Sequence, residues 1–152
     1  PKRYTVHFIT SRGIMDEFRT HVTLSHLAES TRYCAYNKDK FNNELTFIIP
    51  VWVNTNCPNK EQEGPSVASM EWSTAMLNAE VSYMNLIKMG CTPQQAREVL
   101  PLSVKSELIS CGFEDAWSNF FYRRCANDAH PMAREIAIPL QEKFKELGYV
   151  NQ

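Results

Sequence analysis

The feature that most limits the fold of this chain is the order in which strand-like and helix-like segments follow one another. Near the start, residues 3–10 (RYTVHFIT) alternate between more and less apolar side chains, which is the two-residue period of a strand. A turn follows at residues 11–13, and from Ile14 onward apolar side chains recur at helical spacing. This spacing predicts a helix that continues to about His26 or Leu27.

The rest of the chain continues the mixture. The run LTFIIPVWV (residues 45–53) has the composition of a buried strand with Pro50 as a bulge or terminus, and SVKSELIS (103–110) alternates weakly as a further strand. Apolar spacing and end signals predict four more helices: residues 69–90 closed by Gly90, a helix from Thr92 and Pro93 that stops before Pro101, residues 114–125, and residues 131–148. Strands interleaved with helices predict a mixed α/β domain of the α+β class, with a sheet flanked by helices.

The length of the chain predicts a single domain. Its 152 residues, 43% of them hydrophobic, suffice for one core and are too few for two comfortable ones, so the predicted domain spans residues 1–152. Because the sequence starts within a strand pattern, we expect an N-terminal part of the protein to precede it. The segment Asn54–Ser66 carries Pro, Gly and Asn without periodicity, so it is predicted to be a surface loop, and one interpretation is a lid.

Charge and cysteine usage exclude several classes of protein. A formal net charge of −1 gives no overall field for nucleic acid or an anionic membrane, and no apolar run is long enough to span a bilayer. The five cysteines are widely spaced, without the CxxC pair typical of a zinc site, so we predict no metal. We interpret them as reduced thiols of a cytoplasmic protein.

Three arginines and one histidine are the candidates for binding or catalysis. Arg32, Arg97 and Arg124 each lie next to structural signals, and a guanidinium matches phosphate or the carbonyl edge of a pyrimidine. Each one alone is also explained as a solvated surface charge. On the predicted helix His21 shares a face with Glu17 and Ser25, where its imidazole either donates to a cofactor or is a satisfied structural histidine.

Several common site patterns are absent from the sequence. There is no G-x-S-x-G elbow that would expose a serine nucleophile, and neither GxGxxG nor a P-loop is present. A serine hydrolase and a Rossmann-type or Walker-type nucleotide site are therefore not supported.

One segment resembles the signature of a known family. Residues 20–33, THVTLSHLAESTRY, are similar to R-H-R-x-x-S-x-N-x-x-S-x-R-Y of the flavin-dependent thymidylate synthases (thymidylate synthase complementing proteins). The matching residues are His21, Ser25, Ser30, Arg32 and Tyr33, whereas Thr20, Val22 and Leu27 replace two arginines and the asparagine. The later segments QAREVLPLSVKSEL and AWSNFFYRRCANDAHPMAREIAIPL resemble the C-terminal part of the same family.

The resemblance implies a reaction and a set of ligands. Members convert dUMP to dTMP with methylenetetrahydrofolate as carbon donor, while FAD carries hydride from NADPH. They are homotetramers whose active sites are built from several subunits, and a segment upstream of the first strand, of the type H-E-x-x-x-E-H, helps to bind FAD. The family's fold, a central sheet flanked by helices, agrees with the pattern above.

The resemblance also assigns roles to individual residues. By the matched positions, Arg124 faces the uracil ring and is the catalytic residue, and Ser30, Arg32 and Arg97 bind the nucleotide together with it. His21 and Asn119 are the implied flavin contacts. Two alternatives stay open: a catalytically silent homologue that binds nucleotide or serves as an assembly subunit, suggested by Thr20 and Val22, and a helical interaction domain without a ligand.

Overall fold

The structure is a computed structural model, and it describes residues 2–32, 36, 44–55 and 67–150. The elements, in chain order, are β1 (Tyr4–Ser11), α1 (Arg12–Phe18), β2 (Ser25–Ala28), α2 (Val51–Thr55), α3 (Val67–Lys88), α4 (Pro93–Ala96), a 3-10 turn (Arg97–Val99), β3 (Lys105–Gly112), α5 (Glu114–Arg124) and α6 (Pro131–Glu146). The three strands form one sheet in the order β1-β3-β2. The predicted α+β class is confirmed.

The chain divides into two compact units. The first unit consists of Pro1–Ala28 with Ser106–Gln152, and the second of Glu29–Lys105. The prediction of a single domain over residues 1–152 stays a prediction. Within the described ranges no helix combines the length and the apolar composition needed to cross a membrane.

Aromatic side chains build the core of the first unit. Trp117 on α5 is fully buried, and its indole N–H donates to the carbonyl oxygen of Tyr4 over 3.0 Å. Such a bond satisfies the polar atom of a buried indole and fixes α5 against β1. Four phenylalanine rings lie within 6.3 Å of the Trp117 ring, centroid to centroid: Phe8, Phe120, Phe121 and Phe144.

Helix α1 is shorter than its apolar spacing predicts. Ser11 caps it by accepting from the Ile14 N–H, and after Phe18 the chain turns and enters β2 instead of continuing as a helix. β2 pairs antiparallel with β3, with Ser25 opposite Cys111 and Ala28 opposite Leu108. The prediction of a helix to His26 or Leu27 is therefore wrong, and Ser25 shares no helical face with Glu17, because pairing with a distant strand overrides local spacing.

The second unit is built around α3. Its core contains Tyr36, Leu45, Tyr83, Ala96 and Val104. α3 ends as predicted at Gly90, whose φ of 92° belongs to the left-handed region, and the Cys91 N–H donates to the Leu86 carbonyl oxygen. This is the Schellman arrangement, which satisfies carbonyl groups at the end of a helix.

The predicted strand over residues 45–53 is wrong. Phe47 makes an isolated antiparallel bridge to Val104, and from Val51 the chain forms α2. Pro50 explains the change, since it has no N–H to continue a strand ladder and its fixed φ suits the start of a helix. Its carbonyl oxygen accepts from the Val53 N–H over 3.0 Å. The lid interpretation of Asn54–Ser66 concerns residues 56–66, which lie outside the described residues.

Candidate functional site

Arg124, the last residue of α5, is bonded to the segment that follows α1. Its Nε donates to Nε2 of His21 over 2.8 Å, and its Nη1 donates to Oε2 of Glu17 over 3.0 Å. Its Nη2 donates to the Glu17 carbonyl oxygen over 2.8 Å and to Oγ1 of Thr20 over 3.1 Å. We call Glu17, Thr20, His21 and Arg124 the Arg124 cluster. A guanidinium has five N–H donors, and these bonds use four of them.

His21 enters this cluster as a neutral imidazole. Its side chain is buried, and its ring centroid lies 5.0 Å from that of Phe120. Burial, followed by the positive charges of Arg124 and Arg123 and by His26, lowers the pKa of His21 to about 4. Because Nε2 accepts from Arg124, the hydrogen of the neutral ring lies on Nδ1. At neutral pH His21 therefore adds no charge and keeps one N–H to donate.

A second polar contact fixes the same segment to the sheet. Nε2 of His26 is 2.9 Å from the His21 carbonyl oxygen, and its Nδ1 is 2.9 Å from Oγ of the fully buried Ser110. A carbonyl only accepts, so the His26 Nε2–H donates to it and Nδ1 accepts from the serine hydroxyl. Sequence reasoning missed both groups, because the contact joins residues 84 positions apart.

α5 also presents polar groups at the protein surface. A surface pocket of about 470 Å³ is lined by Tyr122, Arg123, Arg124, Ala126, Asp128 and Ala129. Asn119 is exposed one helical turn before Arg123, and 81% of the Tyr122 side chain is exposed. A carboxamide, a phenol and two guanidinium groups are suitable partners for the carbonyl and phosphate oxygens of a flavin dinucleotide. The residues present at this end of α5 therefore fit that cofactor.

The second unit contains the other predicted nucleotide-binding residues. Oγ of Ser30 accepts from the Arg32 backbone N–H over 3.4 Å, and Nε of Arg32 donates to Oε1 of Gln94 over 2.9 Å. Gln94 lies in α4, one turn before Arg97, whose Nε donates to Oε1 of Glu98 over 3.4 Å. Arg32 is thus bonded to the short helix that precedes Arg97, so Ser30, Arg32 and the α4 region form one neighbourhood.

The structure groups the predicted residues in two sets. His21 and Arg124 meet directly, and Asn119 lies on the helix that carries Arg124, all within the first unit. Ser30, Arg32 and Arg97 belong to the second unit, and Tyr33 lies outside the described residues. The ligand-binding roles of these residues stay predictions. Sequence reasoning placed Glu17 near His21, but nothing in the sequence indicated that both contact Arg124.

Metal-ligating side chains are not clustered in the part of the chain that the structure describes. Within it, no group of three or more His, Cys, Asp or Glu side chains is arranged to hold a metal ion. The described cysteines Cys91, Cys111 and Cys125 are free thiols.

Comparison with known proteins identifies the family of this chain. The sequence profile of the family described as thymidylate synthase complementing protein matches residues 2–147. A flavin-dependent thymidylate synthase of Pyrococcus abyssi (strain GE5 / Orsay) is 27% identical over 134 residues, which are 88% of this chain and 50% of that relative. The chain thus spans about half the length of the curated relative that it matches. The match confirms the family suggested by residues 20–33: this chain belongs to the thymidylate synthase complementing protein family.

Proposed function

We propose that this chain forms part of a flavin-dependent thymidylate synthase. The enzyme converts dUMP to dTMP with methylenetetrahydrofolate as the carbon donor and NADPH as the reductant. The observation that carries the proposal is the 2.8 Å hydrogen bond between His21 and Arg124 in a chain that matches the family over residues 2–147. One of these residues is implied to contact flavin and the other to contact the uracil ring, and they are direct neighbours.

The proposed role of Arg124 is electrostatic. Transfer of a one-carbon unit to C5 of uracil needs an electron-rich ring, and a guanidinium against the N3–O4 edge stabilises the ionised form of that ring. The bonds that Arg124 donates to His21, to Thr20 and to the Glu17 carbonyl oxygen support this role, because they fix the guanidinium before a ligand arrives. Four donors are engaged within the cluster, and one N–H of Nη1 is not used by those bonds.

The proposed flavin contacts are His21 and Asn119. His21 offers its Nδ1–H, because Nε2 accepts from Arg124, and Asn119 offers an exposed carboxamide on α5. When bound, FAD supplies the hydride chemistry that amino-acid side chains lack. The chain's own contribution is to orient donors and to keep the imidazole neutral, as the lowered pKa of His21 supports.

Ser30, Arg32 and Arg97 are the proposed nucleotide-binding residues of the second unit. A serine hydroxyl and two guanidinium groups are a typical donor set for a phosphate. The bond between Arg32 and Gln94 supports this role, since it brings the signature segment to the helix that precedes Arg97. By the family's pattern the working form is a homotetramer, whose sites several subunits complete. The free thiols support a cytoplasmic location as part of the proposal.

The test is turnover by the purified full-length protein. We expect the concentrated protein to show flavin absorbance, to form dTMP, and to oxidise NADPH only when dUMP is present. Arg124→Lys should lower kcat, because an ammonium cannot reproduce the planar fork. Arg12→Lys is the matched control, because Arg12 pairs with Asp16 on α1 and lies outside the proposed binding residues. Absence of both flavin and dUMP-dependent NADPH oxidation would refute the enzyme activity.

A second candidate, a silent homologue that binds nucleotide or serves as an assembly subunit, is favoured by one observation. Thr20 occupies the position of a signature arginine, and its hydroxyl is itself a partner of Arg124. An arginine there would offer charge-assisted bonds worth ~1.5–3 kcal/mol to an anion, whereas a threonine does not. Calorimetry that detects dUMP binding by a protein without flavin would favour this candidate.

A further inference from the structure

Glu17 forms an ion pair with the proposed catalytic guanidinium. Its Oε2 lies 3.0 Å from Nη1 of Arg124, and its own carbonyl oxygen lies 2.8 Å from Nη2. One residue thus contacts both terminal nitrogens of the guanidinium. The Arg124 side chain is 17% exposed and that of Glu17 is 38% exposed, so water screens this ion pair only in part.

The bonds of Arg124 fall into two kinds. Those to the Glu17 carbonyl oxygen, Thr20 and His21 are made to neutral acceptors and orient the guanidinium. The bond to the Glu17 carboxylate is the one ion pair among them. The negative charge of this carboxylate offsets the positive charge of Arg124, which would otherwise stabilise the ionised uracil ring. The carboxylate occupies one N–H of Nη1 that a pyrimidine carbonyl would otherwise accept from, and it leaves one N–H of Nη1 for a ligand.

Arg124 also lines the surface pocket beside Tyr122, Arg123 and Asp128. A ligand there that binds Arg124 meets a guanidinium already paired with Glu17. Such a ligand must move the carboxylate away or bind beside it against repulsion. Either way, the carboxylate lowers the affinity for ligands with negative charge or strong carbonyl acceptors.

We propose that Glu17 competes with the bound nucleotide for Arg124 and thereby sets the affinity for dUMP. This inference rests on the proposed function, since it takes dUMP as the ligand of Arg124. It assigns to Glu17 the role of a residue that determines affinity and acts through Arg124. Replacing the carboxylate by an isosteric amide keeps the shape of the cluster and removes the competing charge.

The first test measures the accessibility of Arg124 without any nucleotide. Phenylglyoxal modifies arginine side chains, and fragment mass spectra distinguish Arg123 from Arg124 within one peptide. In the wild-type full-length protein we expect Arg124 to react more slowly than the exposed Arg123. Glu17→Gln should raise the ratio of the two rates about fivefold, the effect of losing a partly exposed ion pair. Equal rates in the wild type, or an unchanged ratio in Glu17→Gln, would overturn the inference.

The second test measures dUMP binding by calorimetry. Glu17→Gln should tighten the dissociation constant for dUMP about fivefold, and the gain should shrink at high salt. Asp16→Asn is the matched control, because Asp16 is the adjacent carboxylate of α1 and pairs with Arg12 and Arg19 instead. It should leave both the rate ratio and the affinity for dUMP unchanged.

The possible outcomes distinguish a failure of this inference from a failure of the proposed function on which it rests. If the wild type and Glu17→Gln bind dUMP equally well, the competition is refuted while the proposed function stands. If neither binds dUMP, the proposed function and the competition both fail. Should Glu17→Gln not fold, Glu17→Asp replaces it: this variant keeps the charge but is one methylene too short for the 3.0 Å contact, so we expect the same changes in smaller measure.

Discussion

The two units hold their candidate arginines in different ways. In the first unit Arg124 is bonded to Glu17, Thr20 and His21, and its side chain is 17% exposed. In the second unit Arg97, whose side chain is 34% exposed, pairs with Glu98 at 3.4 Å, and the Glu98 side chain is 75% exposed. Exposed ion pairs contribute little to stability, whereas hydrogen-bonded and partly buried ones contribute more. Arg124 is thus held by several hydrogen bonds within its unit, whereas Arg97 makes an ion pair with a solvent-exposed carboxylate.

The largest expected effect is the loss of stability when the aromatic core of the first unit is disrupted. Trp117→Ala removes a fully buried side chain and its bond to Tyr4, so the free energy of unfolding should fall by about 3–5 kcal/mol. Trp52→Ala in the second unit is the matched control, because 43% of that side chain is exposed. Denaturant titrations of both variants measure the difference, and equal losses would contradict the comparison.

The pH dependence of stability is the next largest effect. The pKa of His21 is about 4 in the folded protein against the usual 6.5 of histidine, so the unfolded chain takes up the proton first as the pH falls. The folded state should therefore be fully stable above about pH 6.5 and lose up to about 3 kcal/mol between pH 6.5 and 4.

The matched variant for this measurement is His21→Gln. Its amide oxygen accepts from Arg124 but does not titrate, so the slope of the unfolding free energy in that window should shrink. A variant that keeps the wild-type slope would show that the slope arises elsewhere.

Replacing Arg124 and Arg97 by alanine, one at a time, compares how much each arginine contributes to the free energy of unfolding. Arg124→Ala leaves Glu17 and His21 without their partner, so we expect a loss of about 2–3 kcal/mol in the free energy of unfolding. Arg97→Ala should cost less than about 0.5 kcal/mol, as is usual for surface changes. Thermal and denaturant unfolding measure both variants, with Arg123→Ala as a second surface control. A larger loss for Arg97 would reverse the comparison.

The smallest effect concerns a feature that the units share. Gly90 has a φ of 92° and Gly148 a φ of 66°, and a Cβ at either position would have no atom within 4 Å. Substitution by alanine therefore costs only backbone strain, about 1–2 kcal/mol. Because φ at Gly90 is farther from the left-handed minimum, Gly90→Ala should lose more than Gly148→Ala. Denaturation midpoints of the two variants provide the measurement.

Local signals predicted the ends of several helices. Gly90, the pair Thr92 and Pro93, and Pro131 mark helix ends by their backbone preferences, and the structure has these ends. The failures have two causes. Pro50 ends the predicted strand at residues 45–53 locally, whereas β2 exists because it pairs with the distant strand β3. Contacts between distant segments are not encoded in periodicity.

The candidate site was predicted in part. The resemblance selected His21 and Arg124, which are in contact although 103 positions apart. Thr20 stands where the family signature has an arginine, yet in the structure its hydroxyl oxygen accepts a hydrogen bond from Arg124. The role of the Glu17 carboxylate was not foreseeable, because whether a carboxylate faces solvent or a distant guanidinium depends on tertiary packing.

Strands β2 and β3 are neighbours in the sheet and run antiparallel, with Ala28 opposite Leu108. Residues 29–104 therefore connect two adjacent strands, in the place where a β-hairpin has its turn. A short Asn-Gly turn can link such neighbouring strands. Replacing residues 29–104 by such a turn would keep Glu17, Thr20, His21 and Arg124 on the remaining chain.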